Sequence, residues 1–278
     1  MRTMISDELW AILGPVVEQT KPHRCGHPPV LSDRAFLEAL LYWARTGIPW
    51  RDLPSDFGDW SGVYNRFRRW TASGHLHALF ARVTDNPDFG PIRRILIDST
   101  IIRAHPHAAG ARRKAKRIGT ERSAASQGLG RSRGGFSTKV VVTASDESTA
   151  LAVEVIPGQA GDAPRLKLLL DRTLDRVPVI DELDGDKGFD GDEQRNACTA
   201  RGVFANIPNK KNRVHPWAFD PVGYRERNRV ERLIGKMKQF RRVATRYEKL
   251  KPTFLGLIHL VLGFIKVKSK VHQKVNTA

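Results

Sequence analysis

Residues 223–238 read Gly-Tyr-Arg-Glu-Arg-Asn-Arg-Val-Glu-Arg-Leu-Ile-Gly-Lys-Met-Lys. Pro221 precedes the run and no proline interrupts it, which predicts a helix starting just after that proline. At roughly 100° per residue, Tyr224, Arg227 and Lys238 fall within about 40° of Glu231. A phenol, a guanidinium, a carboxylate and an ammonium then share one narrow face. Val230, Leu233, Ile234, Met237 and Phe240 form a separate apolar face suited to a core. Arg225, Asn228, Arg229, Arg232 and Lys236 crowd a third. A solvated Arg227–Glu231 pair at i,i+4 contributes only about 0.2–0.5 kcal/mol, so solvation alone gives little reason to surround this acid with cations.

Two upstream stretches offer partner acids. Ile95-Leu96-Ile97 reads as a short buried strand ending at Asp98, followed by Ser99-Thr100. An acid closing an apolar strand stands where a metal at a sheet edge can use it, and in isolation it also suits a strand-end turn. Farther on, the run from Val179 to Asp190 carries Asp181, Glu182, Asp184 and Asp186 before Lys187, and the residues alone do not choose among them. Around these stretches, Lys139-Val-Val-Val-Thr and Leu151-Ala-Val-Glu-Val-Ile flank Ser145-Asp146-Glu147-Ser148 as a hairpin. Helices are expected near 165–174 and 191–201, and a strand over 203–207. Asp162 reads as a cap or turn residue and Asp190 as the cap of the second helix. An apolar stretch over 254–265 is too short to cross a bilayer and reads as a packing helix with His259 in its core.

The first third is helical in pattern. Ser6 caps a short helix expected to end near Gly14-Pro15, and Ser32 caps one in which Phe36, Leu37, Leu40, Leu41 and Ala44 recur. Between Trp60 and Trp70 the apolar residues take one side, with Asn65, Arg66, Arg68 and Arg69 on the other. A further helix is expected from His75 to about Val83. Such a set suits a helix-turn-helix-like DNA-binding module or a helical cap with a basic face. Asn86-Pro87-Asp88-Phe89-Gly90-Pro91 marks a boundary, giving domains over 1–88 and 91–278.

The charge balance narrows the partner. A formal net charge of +18 over 278 residues, with a pI near 10.4, calls for a polyanion, because neutralising phosphates releases counterions. Arg112, Arg113, Lys114, Lys116 and Arg117 form a basic run, and Gly-Leu-Gly-Arg131-Ser-Arg133-Gly-Gly follows it as a phosphate-seeking loop. No long apolar segment or lipidation motif points to a membrane. Cys25 and Cys198 are the only cysteines, so a reducing cytoplasm is expected. His23-Arg-Cys25-Gly-His27 lacks the usual zinc spacing and a second ligand pair.

The spacing Tyr-x2-Arg-x3-Glu-x6-Lys resembles, without a gap, the helix that carries the last acid of many insertion-sequence transposases of the DDE type. Ile97-Asp98-Ser99-Thr100, followed by Arg103-Ala104-His105, resembles their first-aspartate motif. Asp186-Lys187-Gly188-Phe189-Asp190 resembles their Asp-Lys-Gly-Tyr-Asp, whose first aspartate is catalytic, with Asp184 as the fallback. The long N-terminal pattern Arg45-Thr-Gly-Ile-Pro-Trp-Arg-Asp-Leu-Pro54 and Val63-Tyr-Asn-Arg-Phe-Arg-Arg-Trp70 resembles their N-terminal domain, although Gly26-His27-Pro28 stands where Gly-Arg-Pro is usual.

The resemblance implies a ribonuclease-H-like α/β catalytic domain preceded by a small all-α helix-turn-helix-like domain. It implies Asp98, Asp186 and Glu231 as catalytic acids holding two Mg2+ or Mn2+ ions, hard cations that suit carboxylate oxygens. It also implies end cleavage and strand transfer on double-stranded DNA, by a homodimer bound to inverted repeats and target. Tyr224, Arg227 and Lys238 would touch DNA at the site; Arg66, Arg68, Arg69, Arg112, Arg113, Lys114, Arg131 and Arg133 would bind it elsewhere. Two competitors make different demands. A metal-dependent nuclease of similar fold cuts without joining, and a non-enzymatic DNA-binding regulator tolerates alanine at all three acids.

Overall fold

The computed structural model describes residues 3–21, 30–84, 92–111 and 125–276. In chain order these form α1 (Asp7–Thr20), α2 (Asp33–Thr46), α3 (Trp60–Ala72), α4 (His75–Thr84), β1 (Arg94–Ala104), β2 (Gly130–Ser132), β3 (Gly135–Ala144) and β4 (Ala150–Pro157). There follow α5 (Leu166–Leu174), β5 (Glu182–Asp184), α6 (Asp192–Thr199), β6 (Phe204–Asn206), α7 (Asn228–Lys238), α8 (Arg241–Ala244) and α9 (Lys251–Asn276). By their contacts Met1–Asn86 and Lys236–Ala278 make one compact unit, and Pro87–Gly235 the other.

The first unit is helical. Ser6 and Ser32 cap α1 and α2 by accepting the N–H groups of Leu9 and Ala35. Contrary to the expected stop near Pro15, α1 continues to Thr20. A helical proline withdraws the hydrogen bond to the carbonyl four residues back, here that of exposed Ala11. Leu9, Leu13 and Val17 carry a buried stripe past the proline and hold the helix together. Trp50, in a 3-10 turn, stacks on Trp43 of α2 with ring centroids 4.0 Å apart, and Phe36 meets Trp70 edge-on at 4.9 Å. The C-terminal helix α9 packs on α4, α1 and α3. It is longer than the expected stretch over 254–265, because buried Lys266 and Val267 carry its inner face onward. His259 is buried and stacks on Phe80 at 4.8 Å. Among the described residues no helix is long and apolar enough to cross a membrane.

The second unit is built on a sheet. Antiparallel β1 and β3 pair from Leu96↔Ala144 to Arg103↔Ser137, while β2 and then β4 pair along the other edge of β3. On its far side β1 runs parallel to β5, and β5 parallel to β6. The order β4-β3-β1-β5-β6, three antiparallel strands followed by two parallel ones, is ribonuclease-H-like. One face buries Ile95, Ile97, Val141 and Leu183 with Leu166, Leu169 and Leu170 of α5.

Two expectations change here. β1 does not stop at Asp98; it extends to Ala104 because β3 continues to offer partners, which places Asp98 mid-strand. The region expected to be helical from just after Pro221 opens as a 3-10 turn, Gly223–Arg227, and becomes α-helical only at Asn228. Arg94 occupies the Gly223 carbonyl at 3.3 Å, and Asp220 fixes the Gly223 N–H at 3.0 Å. The five apolar positions of the motif, from Val230 to Phe240, are all buried, as their spacing predicts.

Candidate active site on the central strands

Asp98 projects from the middle of β1, two residues beyond the Leu96↔Asp184 pair, and Asp186 lies two residues beyond the same pair on the β5 side. Asp186 accepts the Gly188 N–H at 2.8 Å and opens a single 3-10 turn. The 3-10 turn 223–227 lies against β1 and β5 and delivers Tyr224 and Arg227. Side chains three residues apart eclipse on such a turn, and the Arg227 guanidinium sits 5.7 Å from the Tyr224 ring centroid. Glu231 follows on the first turn of α7.

Arg227 joins the acids. Its Nη1 lies 3.4 Å from Asp98 Oδ1, and its Nη2 donates to Glu231 Oε1 at 2.5 Å. Burial raises Asp98 above the usual carboxylate range; repulsion from Asp186 and Glu231 adds to it, while Arg227 opposes it. Burial also raises Tyr224. For Arg227, burial works against the charge, and Asp98, Tyr224, Glu231 and Asp186 more than offset it. Arg227 Nη1 is buried with no hydrogen-bond partner. Such a donor suits an incoming anionic oxygen.

Three carboxylates facing one guanidinium leave the cluster with a net −2 (1 − 3). Hard oxygen donors and a surplus of negative charge fit Mg2+ or Mn2+. Among the described residues no three His, Cys, Asp or Glu side chains stand close enough to form a ready metal-binding group, so the acids would have to draw together around an ion.

The other residues singled out by sequence separate into distinct environments. Asp184 is fully buried, accepts from Asn206 Nδ2 at 2.7 Å and is pushed up to about 7, chiefly by burial. Asp190 does not cap α6, whose N-cap is Gly191; it pairs with Arg195 and Arg213, both at 2.8 Å. Asp162 accepts from Ser99 Oγ at 2.7 Å and Lys139 Nζ at 2.5 Å. Lys238 lies two turns beyond Glu231 on α7, in the segment grouped with the N-terminal helices. Arg68 and Arg69 are exposed on α3, and Arg131 and Arg133 on the β2–β3 hairpin.

Arg66 requires a correction. It does not lie on the solvated face of α3: it is buried, donates to the Leu31 carbonyl at 2.8 Å, pairs with Asp33 and covers the Phe36 ring at 4.3 Å. A guanidinium held this way ties α3 to α2 and is withdrawn from phosphates. Arg112, Arg113 and Lys114 lie outside the described residues, as do His23, Cys25 and His27. Sequence reasoning passed over Arg94, Asn206 and Asp220, which hold the 223–227 turn; a polar Asn closing an apolar strand was the available signal.

Comparison with known proteins shows the family of the chain. Residues 5–80 match the family described as "Putative transposase of IS4/5 family (DUF4096)", and residues 89–262 match "Transposase DDE domain". Among curated relatives, "Uncharacterized protein y4sN" of Sinorhizobium fredii is 44% identical over 110 residues, covering 39% of this chain and 83% of that protein. "Putative transposase for insertion sequence element IS6501" of Brucella ovis is 30% identical over 132 residues, covering 47% of this chain and 98% of that protein. A piggyBac transposase in a synaptic complex with hairpin DNA matches at 10% identity, with a TM-score of 0.48, over 98% of this chain and 74% of its own. A Mos1 transposase in a paired-end complex matches at 17% identity with a TM-score of 0.26, over 66% of this chain and 61% of its own, less than two thirds of that chain's length. The DDE-domain match alone spans 174 residues (262 − 89 + 1), more than half of the sequence, and the chain belongs to the DDE transposases of the IS4/5 insertion-sequence family.

Proposed function

We propose that this chain cleaves DNA at the ends of its own insertion sequence and joins the freed ends to target DNA, with Asp98, Asp186 and Glu231 as its acids. The observation that supports this reading is the meeting of residues from three distant stretches. Asp98 from β1, Asp186 after β5, and Arg227 with Glu231 around α7 share one electrostatic cluster with too little positive charge. Asp98, Asp186 and Glu231 would hold two Mg2+ or Mn2+ ions, which supply activation of a hydroxyl nucleophile and stabilisation of the leaving oxygen.

The chain's own residues orient the DNA. Arg227 turns its Nη1, paired with Asp98 but making no hydrogen bond, towards a phosphate oxygen near the scissile bond. Lys238 provides a second phosphate contact from its place on α7, and Tyr224 lies against the backbone or a displaced base. Water attacks phosphorus in line at the element end and breaks the bond to the 3′-oxygen; the 3′-hydroxyl set free then attacks a phosphodiester of the target, joins to its phosphorus and releases the target's 3′-oxygen as a hydroxyl. Arg68, Arg69, Arg131 and Arg133, with the run containing Arg112, Arg113 and Lys114, track the duplex by counterion release. In this reading residues 1–88 bind the inverted repeats, residues 91–278 carry the chemistry, and a homodimer pairs two ends in a bacterial cytoplasm.

The test is incubation of the full chain with a duplex of its element's own end and Mg2+, beside Asp98→Ala. Metal-dependent cleavage and joining, lost in the variant, are expected. Cleavage without joining would reduce the reading to a nuclease, and equal activity in both proteins would overturn the assignment of Asp98.

A further inference from the structure

Asn206 ends β6 directly opposite Asp184 of β5, and both are fully buried. Its side chain uses both polar ends. The Nδ2 group donates to Asp184 Oδ1 at 2.7 Å and to the Asp220 carbonyl at 3.2 Å, and Oδ1 accepts the Asp220 N–H at 2.9 Å. Asp220, fourteen residues later in the chain, is thereby fixed to the sheet through its backbone.

Asp220 also stands three residues before the turn that carries the motif. Its carbonyl accepts the Tyr224 N–H at 3.1 Å. Its carboxylate accepts the N–H groups of Val222 at 2.9 Å and Gly223 at 3.0 Å. Arg94 holds the next carbonyl, that of Gly223, at 3.3 Å, while binding Glu182 on β5 through Nε at 3.0 Å and Nη2 at 2.5 Å. The turn is therefore pinned to three neighbouring strands before Tyr224 and Arg227 appear. A 3-10 turn advances about 120° per residue. Rotation at Gly223 therefore swings Arg227 away from Asp98 on β1.

We propose that Asn206, held by Asp184 and acting through Asp220, is a positioning residue that sets the rotational phase of the 223–227 turn and so the place of Arg227 among the acids. This rests on the site reading above. It separates the roles of two nearby aspartates: Asp184 faces Asn206 in the sheet interior, and Asp186 faces the cluster.

The test is a charge-swap cycle. Asn206→Asp replaces the donor with an oxygen facing two acceptors, Asp184 Oδ1 and the Asp220 carbonyl. Asp184→Asn/Asn206→Asp restores a donor between the two positions from the opposite side. Single-turnover cleavage of the element-end duplex at saturating DNA should fall about 10–100-fold in Asn206→Asp, the scale of a misplaced catalytic group. It should recover in part in the double variant, which relieves the clash between positions 184 and 206 but leaves the Asp220 carbonyl without its donor. DNA affinity should fall by no more than the loss of one phosphate contact. Hydrogen exchange at the Val222, Gly223 and Tyr224 amides should accelerate in the single variant and slow again in the double.

An unchanged rate in Asn206→Asp, or a double variant no better than the single, would overturn the proposal. Should Asn206→Asp fail to fold, Asp220→Ala, altered at an exposed residue, decides the matter: an unchanged rate contradicts the proposal and a loss supports it. The exchange measurement is independent of chemistry. A wild-type chain that cleaves nothing breaks the site reading, and the amide protection still accepts or rejects the clamp.

Discussion

Asp190 and Asp98 are acids of the sheet unit, the first buried and the second half-buried, and the structure pushes them in opposite directions. Burial opposes the charge of each. At Asp190 hydrogen bonds from Arg213, the Lys210 N–H and Arg195 overcome that penalty and hold the carboxyl at about 2. At Asp98 the main cation is Arg227, 3.4 Å away and shared with Glu231, and the carboxyl is raised. The more deeply buried acid is the one held low, so the number of committed partners outweighs depth. An acid with its charge fully matched has become part of the scaffold; one left short of cations is available to a ligand.

The contrast can be broken at either end. The largest effect is expected for Asp98→Asn: cleavage of element-end DNA should fall at least about 10³-fold, while urea stability is unchanged or rises because a repelled, half-buried charge is gone. A stability loss at Asp98 comparable to that at Asp190 would break the contrast. Asp190→Asn should cost about 3–5 kcal/mol in urea unfolding, because Arg195, almost fully buried, loses its counter-charge and Arg213 keeps only Asp192. A cost under about 1 kcal/mol would show that these pairs contribute little to stability.

A smaller effect follows from acid titration. Asp190 has a folded pKa near 2, depressed from the usual 3.8, so its stabilisation is present above pH 4 and lost as pH falls through 2. That contribution is about 2 kcal/mol, and Asp190→Asn should flatten the stability profile across this window. Equal slopes in both proteins would contradict it. The smallest effects divide α3. Arg68→Ala/Arg69→Ala should weaken DNA binding and lower the salt slope by about 1 per lost phosphate contact, with melting unchanged. Arg66→Ala should lower the melting temperature and leave the salt slope alone, because Arg66 is bound to Leu31 and Asp33.

Periodicity made much of this legible. The apolar face of the motif helix, the β3–β4 hairpin and the cap residues Ser6 and Ser32 follow from local spacing, which a single sequence displays directly. What escaped depends on partners far along the chain. The length of β1 is set by β3, the 3-10 opening by Arg94 and Asp220, and the burial of Arg66 by Asp33 and Leu31. α1 runs through Pro15 because a buried stripe outweighs one missing hydrogen bond. The choice between Asp184 and Asp186 came from resemblance alone. In the fold Asp184 is sealed against Asn206, whereas Asp186 influences Asp98.

The central claim, that Asp98 belongs to an under-compensated set of acids ready for a divalent cation, is tested most directly by titrating Mn2+ into the full chain and following free Mn2+ by electron paramagnetic resonance. The account predicts saturable binding by the wild type, loss of that binding in Asp98→Asn, and stronger binding in Arg227→Ala, where the competing guanidinium is removed. Identical Mn2+ binding by wild type and Asp98→Asn would contradict it.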